Sequence, residues 1–365
     1  MKNMTLPKVA VAVNGRIFIN GTEIEPDSAF FTFEAEGVVI DSRLCKKDYI
    51  FVAIKGEKTD GHDYIEKVLD EGAMAVICER LPEGYEKRSA GAYILVEDCL
   101  KSLRTLAAYY RSQLSCKITG IVGSVGKTST KELVASVLSQ DFNTLKTAGN
   151  YNNEIGVPLT IFNIRDSHKM AVVEMGISDF GEMDRLGEIV KPDIVVMTNI
   201  GPCHLENLKD LDGVLRAKSE VLRHIKRGGL LVINSDDSKL VMLKKLKSNN
   251  ADYINIIDDA DRCALEHIEI TCYGSGDHYG CEPDVRFENL KSKGVEGSIF
   301  DMLVCQKDFG ISTRVNMQGT HQVMNSLAAC IVGLACGMQM DRIVKGIGAA
   351  IPMKGRCCPD RKSVV

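Results

Sequence analysis

The chain has 365 residues, of which 45% are hydrophobic and 26% charged, with a formal net charge of −4. This is the composition of a globular protein with room for two or three domains. It excludes a global field that would gather nucleic acid or an anionic membrane, so any anionic ligand must be held by local cations. The thirteen cysteines are scattered without a Cys-x-x-Cys pair. That argues for free thiols in a reducing compartment, and against a disulfide framework or zinc site. With no signal-peptide core and no apolar run of membrane-span length, a cytoplasmic location is expected.

Residues 1–100 read as a small α/β module. Residues 9–13 and 16–19 look like short strands around Asn14-Gly15, a hairpin signal. Further strands are expected at 37–40, 49–54, 73–78 and 92–96, with a helix carrying Ile65, Val68 and Leu69 on one face. Asp41, Ser42, Arg43 and His62 fall at strand ends, where residues that merely cap the chain are the simpler reading. A helix over 99–114 leads into the next unit. The domain plan is thus 1–100, a connecting helix over 101–114, a central domain over 115–352 and a tail over 353–365.

The central domain begins with Gly120-Ile-Val-Gly123-Ser124-Val-Gly126-Lys127-Thr128-Ser129. An apolar strand runs into a glycine turn and then into a helix with Leu133, Val134, Val137 and Leu138 on one face. Converging backbone N–H groups and a helix N-terminus make a polyphosphate cradle. Lys127 can reach the outer phosphates, and the Thr128 hydroxyl can hold Mg²⁺. Ile121 stands where the usual P-loop has its first glycine, and Gly123 takes over the turn. An ordinary strand–turn–helix junction is the alternative.

A strand over 144–147 precedes the Asn- and Gly-rich stretch 149–158, read as a loop. Its Asn150, Asn152 and Asn153 either satisfy their own backbone or meet a ligand. Residues 170–176 form a buried-type strand closing on Glu174, at the strand end where α/β folds bind ligands. That carboxylate either holds a metal or merely ends the strand. Strand 192–198 repeats the pattern and is followed by His204, whose imidazole shares that rim and suits a metal or phosphate contact. Residues 212–225 read as a helix with Lys218 beside its apolar stripe, a snorkelling lysine by default. A buried strand is expected at 229–233. From 252 to 315 short alternating strands predict an antiparallel extension, with Gly274-Ser-Gly276 as a hairpin loop. Gly319–Asn325 opens a helix bearing Leu327, Ile331 and Leu334.

Taken together, these stretches resemble the Mur ligase family of ATP-dependent amide ligases. The motifs are Asp41-Ser42-Arg43, Gly123-x-x-Gly126-Lys127-Thr128, Asn199-Ile-Gly201-x-x-His204-Leu-Glu206, Ala217-Lys218-x-Glu220 and Gly319-x-His321-x-x-x-Asn325. Residues 149–160 and Glu174-Met175-Gly176 are similar to the members that add D-alanyl-D-alanine to UDP-N-acetylmuramoyl-tripeptide. The resemblance implies a small substrate domain followed by a P-loop-type domain with a mainly parallel sheet.

It also implies site roles. Gly123, Ser124, Gly126, Lys127, Thr128, Ser129, Asn325 and Arg356 would contact ATP, with Asn325 on the adenine. Thr128 and Glu174 would hold one Mg²⁺, and His204 and a CO₂-derived carbamate on Lys218 a second. Lys127, Lys218 and His204 would carry the chemistry. Ser42, Arg43, Asn150, Asn152 and Asn153 would meet the UDP-precursor and acceptor. The partners are small molecules, with no nucleic acid and no membrane, and a monomer is expected. Gln322 departs from the family's asparagine. The family also has a third domain after Gly355-Arg356 that the tail does not resemble, so slow turnover is expected. Another Mur or folylpolyglutamate-type ligase, or a non-ligase P-loop protein, is the competing reading.

Overall fold

The computed structural model describes residues 1–26, 32–87, 91–248, 256–276, 278–305 and 309–351. The chain divides into two compact units, one of residues 1–115 with 154–165, the other of 116–153 with 166 onward.

The first unit runs α1 (Leu6–Ala12), β1 (Arg16–Ile19), β2 (Thr22–Ile24), β3 (Gly37–Val39), β4 (Tyr49–Val52), α2 (Ile65–Asp70), β5 (Ala75–Cys78), β6 (Ala92–Leu95) and α3 (Cys99–Ser112). Its six strands lie in the order β2-β1-β6-β5-β4-β3, with β3 to β6 parallel and β1 antiparallel to both neighbours. All four side chains of β5 are buried, as expected for a strand covered on both faces.

Residues 9–13 correct the sequence reading, because residues 9–12 belong to a helix and Val13 is its C-cap. Pro7 sits in the first turn of α1, where its missing N–H costs nothing, and Leu6, Val9 and Ala10 turn inward. A short apolar run does not distinguish the two periods. The expected hairpin at Asn14-Gly15 is instead the exit from this helix. The hairpin of β1 and β2 turns at Asn20-Gly21, both with positive φ (51° and 73°), which an Asn-Gly pair adopts readily.

The second unit opens with β7 (Lys117–Val122), α4 (Lys127–Leu138) and β8 (Thr144–Lys146). Next comes α5 (Gly156–Phe162), which belongs to the first unit, where the Tyr110 hydroxyl donates to Ile164 O at 2.6 Å. The Asn- and Gly-rich loop therefore ends at residue 155, short of the expected 158. Pro158 lies in the first turn of α5, where it breaks no hydrogen bond.

The second unit continues with β9 (Met170–Glu174), α6 (Glu182–Val190), β10 (Ile194–Met197), α7 (Leu205–Leu208), α8 (Leu211–Ser219), β11 (Leu230–Asn234), α9 (Ser238–Lys247), α10 (Asp259–Leu265), β12 (Glu269–Gly274), β13 (Val285–Ser292), β14 (Ser298–Val304), β15 (Phe309–Val315), α11 (Thr320–Ala335) and α12 (Met340–Ala349). The sheet order is β15-β14-β13-β12-β11-β10-β7-β9-β8. Strands β8 to β13 run parallel, while β14 and β15 add the expected antiparallel extension. Helices α4, α11 and α12 share a buried apolar core with one face of this sheet.

Three expectations change here. The helix read over 212–225 is α8 followed by a separate 3₁₀ turn at Leu222–His224. The segment 252–315 is not all strand, since α10 lies within it. Strands β12 and β13 pair in parallel (Tyr273 opposite Val285), so 274–276 is the start of a crossover and not a hairpin loop.

Candidate active site

The end of β7 is buried, so the chain must turn within a narrow space. Gly123 makes that turn at φ 151°, and a Cβ there would collide with Thr198 Oγ1. Gly126, at φ 82°, is the left-handed residue from which α4 departs. The loop between them is tied to the end of β10. Ser124 N donates to Asn199 O (3.1 Å), Val125 N to Asn199 Oδ1 (3.0 Å), and Thr198 Oγ1 to Val125 O (2.7 Å). Ser124 Oγ accepts from Gly201 N and donates to Gly201 O, both at 2.9 Å. Lys127 Nζ donates back to Gly123 O (2.9 Å) and Ser124 O (3.2 Å), so its cation lies over the loop. Together with the positive end of a twelve-residue helix, this geometry suits an anion.

Behind the loop, Glu174 ends β9 almost fully buried (2% exposed). Its Oε1 accepts from Thr128 Oγ1 (3.2 Å) and Asn152 Nδ2 (2.9 Å). Among the described residues its Oε2 makes no hydrogen bond, and Lys131 Nζ stands 3.7 Å away. Thr147 organises the pair, since its Oγ1 accepts from Glu174 N (3.0 Å) and its carbonyl from Lys131 Nζ (2.9 Å). A buried carboxylate oxygen with no donor costs on the order of 1–3 kcal/mol, and that cost is removed by a cation. Hard oxygens from a carboxylate and a hydroxyl beside an anion cradle suit Mg²⁺. Of the three asparagines, Asn152 reaches Glu174, while Asn150 and Asn153 are exposed.

Lys218, in α8, is 2% exposed, and no hydrogen bond or ion pair to its Nζ occurs among the described residues. Burial pulls its ammonium down to about 8, with Cys203 opposing and Lys127 reinforcing the shift. The Cys203 thiol is 3.3 Å from Ser124 Oγ, so this amine belongs to the surroundings of the loop. His204 follows, exposed and left-handed (φ 50°), at the start of α7. Among the described residues no group of three or more His, Cys, Asp or Glu side chains gathers in metal-binding range.

The start of α11 meets the start of α4. Asn325 Nδ2 donates to Gln322 Oε1 (3.2 Å), Gln322 Nε2 to Ser129 Oγ (3.4 Å), and Asn325 Oδ1 lies 3.7 Å from where a Cβ on Gly126 would stand. Glu220 has a structural task, because its carboxylate accepts from Gly181 N (2.8 and 3.0 Å) and Asp184 N (3.1 Å) at the head of α6.

In the first unit, Asp41 Oδ1 accepts from Arg43 N (3.0 Å) and caps the 3₁₀ turn Ser42–Leu44, with the Arg43 guanidinium on the same carboxylate (Nη2 to Oδ2, 2.6 Å). Asp60 caps Gly61–Tyr64, accepting His62 N (2.9 Å) and pairing with His62 Nδ1 (2.7 Å), while His62 Nε2 accepts from Glu79 N (2.9 Å). These geometries match the capping reading. Arg356 lies outside the described residues.

The sequence reading missed Lys131, Thr147 and Asp237. Lys131 carried a signal, namely a charge within the apolar stripe of α4, three before Val134. Asp237 caps α9 through Lys239 N and Leu240 N and also accepts Ile200 N (2.7 Å), a contact between distant segments that spacing does not reveal.

The Mur ligase middle-domain family model matches residues 121–333, more than half of the chain, and a Mur ligase family catalytic-domain model matches 34–111. A UDP-N-acetylmuramoyl-tripeptide--D-alanyl-D-alanine ligase of Bacillus subtilis is 32% identical over 312 residues, covering 85% of this chain and 61% of the relative. The Escherichia coli protein of that name is 28% identical, covering 98% and 71%. Against the first curated relatives, the chain spans about six tenths of their length. The crystal structure of MurF from Acinetobacter baumannii superposes with a TM-score of 0.78 at 30% identity, over 95% of this chain and 68% of that one. MurF from Thermotoga maritima in complex with ADP gives 0.71 at 26% identity, over 88% and 67%. Family model, fold and loop geometry agree, and the chain belongs to the Mur ligase family.

Proposed function

We propose that this chain is an ATP-dependent ligase that joins D-alanyl-D-alanine to UDP-N-acetylmuramoyl-tripeptide in cytoplasmic peptidoglycan-precursor synthesis, acting as a monomer. One observation carries the reading: an unsatisfied buried carboxylate oxygen on Glu174, beside the Thr128 hydroxyl and under a glycine loop closed by Lys127. The named relatives supply the substrate identity.

A carboxylate does not acylate an amine directly, because the leaving group would be oxide or hydroxide. The substrate carboxylate attacks the γ-phosphorus of ATP, the bond to ADP breaks, and an acyl phosphate forms. The amine nitrogen of D-alanyl-D-alanine then attacks the acyl carbon, phosphate leaves, and the amine loses a proton. Most of the protein's task is positioning and charge neutralisation. The loop N–H groups and Lys127 hold the outer phosphates. Thr128 and Glu174 would hold Mg²⁺, which neutralises phosphate charge when bound. Asn325 meets the adenine edge through its amide. Ser42 and Arg43 take the UDP end, and Asn150, Asn152 and Asn153 line the acceptor side.

Lys218 we read as a carbamate. A buried amine pulled down to about 8 is partly neutral near pH 7, and the neutral nitrogen adds to CO₂ with loss of one proton. The product is a carboxylate-like ligand that, with His204, would hold a second Mg²⁺.

Calorimetry with the purified chain tests this. MgATP should bind, and Lys127→Ala should weaken binding at least about tenfold, since a charge-assisted contact is lost. Phosphate release should require both the UDP-precursor and D-alanyl-D-alanine. Release that ignores the precursor would overturn the ligase reading in favour of a plain nucleotide-binding protein.

A further inference from the structure

Away from the phosphate loop, two thiols face each other. Cys272 Sγ, in β12, lies 3.5 Å from Cys281 Sγ, in the segment before β13. Lys244 Nζ, from α9, stands 3.2 Å from Cys272 Sγ. Asp284 holds the two segments side by side, its Oδ2 accepting Cys272 N and its N–H donating to Cys272 O, both at 2.8 Å. An S–S bond is about 2.05 Å long, so closure asks the sulfurs to approach by roughly 1.5 Å.

We propose that Cys272 and Cys281 are a reversible redox pair that closes to a disulfide on reaction with a hydroperoxide, with Lys244 as the cation that activates it. The sulfur attack is favoured because the pair shares protons. The S–H···S contact with Cys272, and after it the Lys244 ammonium, pull the first deprotonation down to about 7 at Cys281 against the cost of burial, and the second proton is held far above the ordinary thiol value. Cys78, more deeply buried than Cys281, differs: its thiol is pushed up to about 12 by burial, which outweighs the opposing pull of Arg80. Cys281 is flanked by exposed Gly280 and Glu282 and so lies nearer solvent. Its thiolate attacks a peroxide oxygen, the O–O bond breaks, and the departing hydroxide takes up a proton as water. Cys272 then attacks the resulting sulfenic sulfur, the S–O bond breaks, and a second water leaves. Two electrons from the two sulfurs reduce one peroxide to two waters, and a thiol reductant reverses the change.

The test uses the full chain treated with stoichiometric hydrogen peroxide, followed by alkylation and peptide mapping. The expected first product is a peptide pair joined through Cys272 and Cys281, two hydrogens lighter than the dithiol and restored by dithiothreitol. Lys244→Arg should retain the rate near pH 7, and Lys244→Met should slow it about tenfold as the thiolate fraction falls. The proposal is overturned if both thiols are still alkylated after other cysteines have oxidised, or if Lys244→Met cross-links at the wild-type rate. The wild-type mapping decides the first point even if a variant fails to fold.

Discussion

Two polar clusters at strand ends treat their charges in opposite ways. In the first unit, Asp60 accepts from His62 N, pairs with His62 Nδ1 and takes Arg80 Nη2 at 2.8 Å, while the far ring nitrogen of His62 is met by Glu79 N. The chain itself completes that network. In the second unit, among the described residues, Glu174 keeps one buried oxygen without a donor, and Lys218 is buried with no hydrogen bond or ion pair on its amine. Buried charges sort accordingly: a network closed by its own chain holds the fold, and one left open is built for something that arrives later.

Lys131 is the most sensitive point of the open cluster. Lys131→Met removes the cation beside Glu174 and leaves a buried carboxylate uncompensated, so the denaturant midpoint should fall by the equivalent of about 3 kcal/mol. A near-neutral result would mean that the Lys131–Glu174 pair contributes nothing net to the fold. Glu174→Gln keeps the shape but removes the negative oxygen. Calorimetry should show the Mg²⁺-dependent part of ATP affinity falling roughly 100-fold, while stability falls less than in Lys131→Met, because the buried Lys131 ammonium keeps the Glu132 carboxylate at 3.3 Å as a counter-ion.

Lys218→Met sharpens the contrast from the other side. In CO₂-free buffer it should stabilise the fold at pH 7 by on the order of 2 kcal/mol, because the folded amine is pulled down to about 8 from an unfolded value near 10.4. The unfolded chain binds more protons between those values, so wild-type stability rises with pH there and the advantage of the variant shrinks. Thermal melts across pH 7 to 10.5 would check it.

The smallest effect belongs to the closed network. Asp60→Asn should cost about 1 kcal/mol of stability at pH 7 and leave ATP affinity unchanged. The Arg80 guanidinium and His62 backbone N–H hold the Asp60 carboxyl well below the usual range. Its contribution is therefore complete above the ordinary carboxylate value and is lost as acid approaches the depressed one. The wild-type advantage should fade below about pH 4 in acid titrations.

Much of this was legible from residues 117–138 alone, because a buried strand, two constrained glycines and an amphipathic helix are local patterns. The parallel strands β9 to β11 were equally plain as unbroken apolar runs. What was hidden depended on other segments. Residues 9–13 are too few to separate helix from strand by period. Residues 156–158 looked like part of an asparagine loop because Gly and Pro signal a turn when no packing partner is visible. The open valence of Glu174 could not be read at all, since it is defined by which donors Thr128, Asn152 and Lys131 bring and which they withhold.

The many ties between the glycine loop and Thr198, Asn199 and Gly201 also bear on kinetics. A cradle already set before its guest arrives needs no slow rearrangement on contact. Stopped-flow mixing with a fluorescent ATP analogue should give one exponential phase whose rate climbs linearly with ligand concentration, without a plateau.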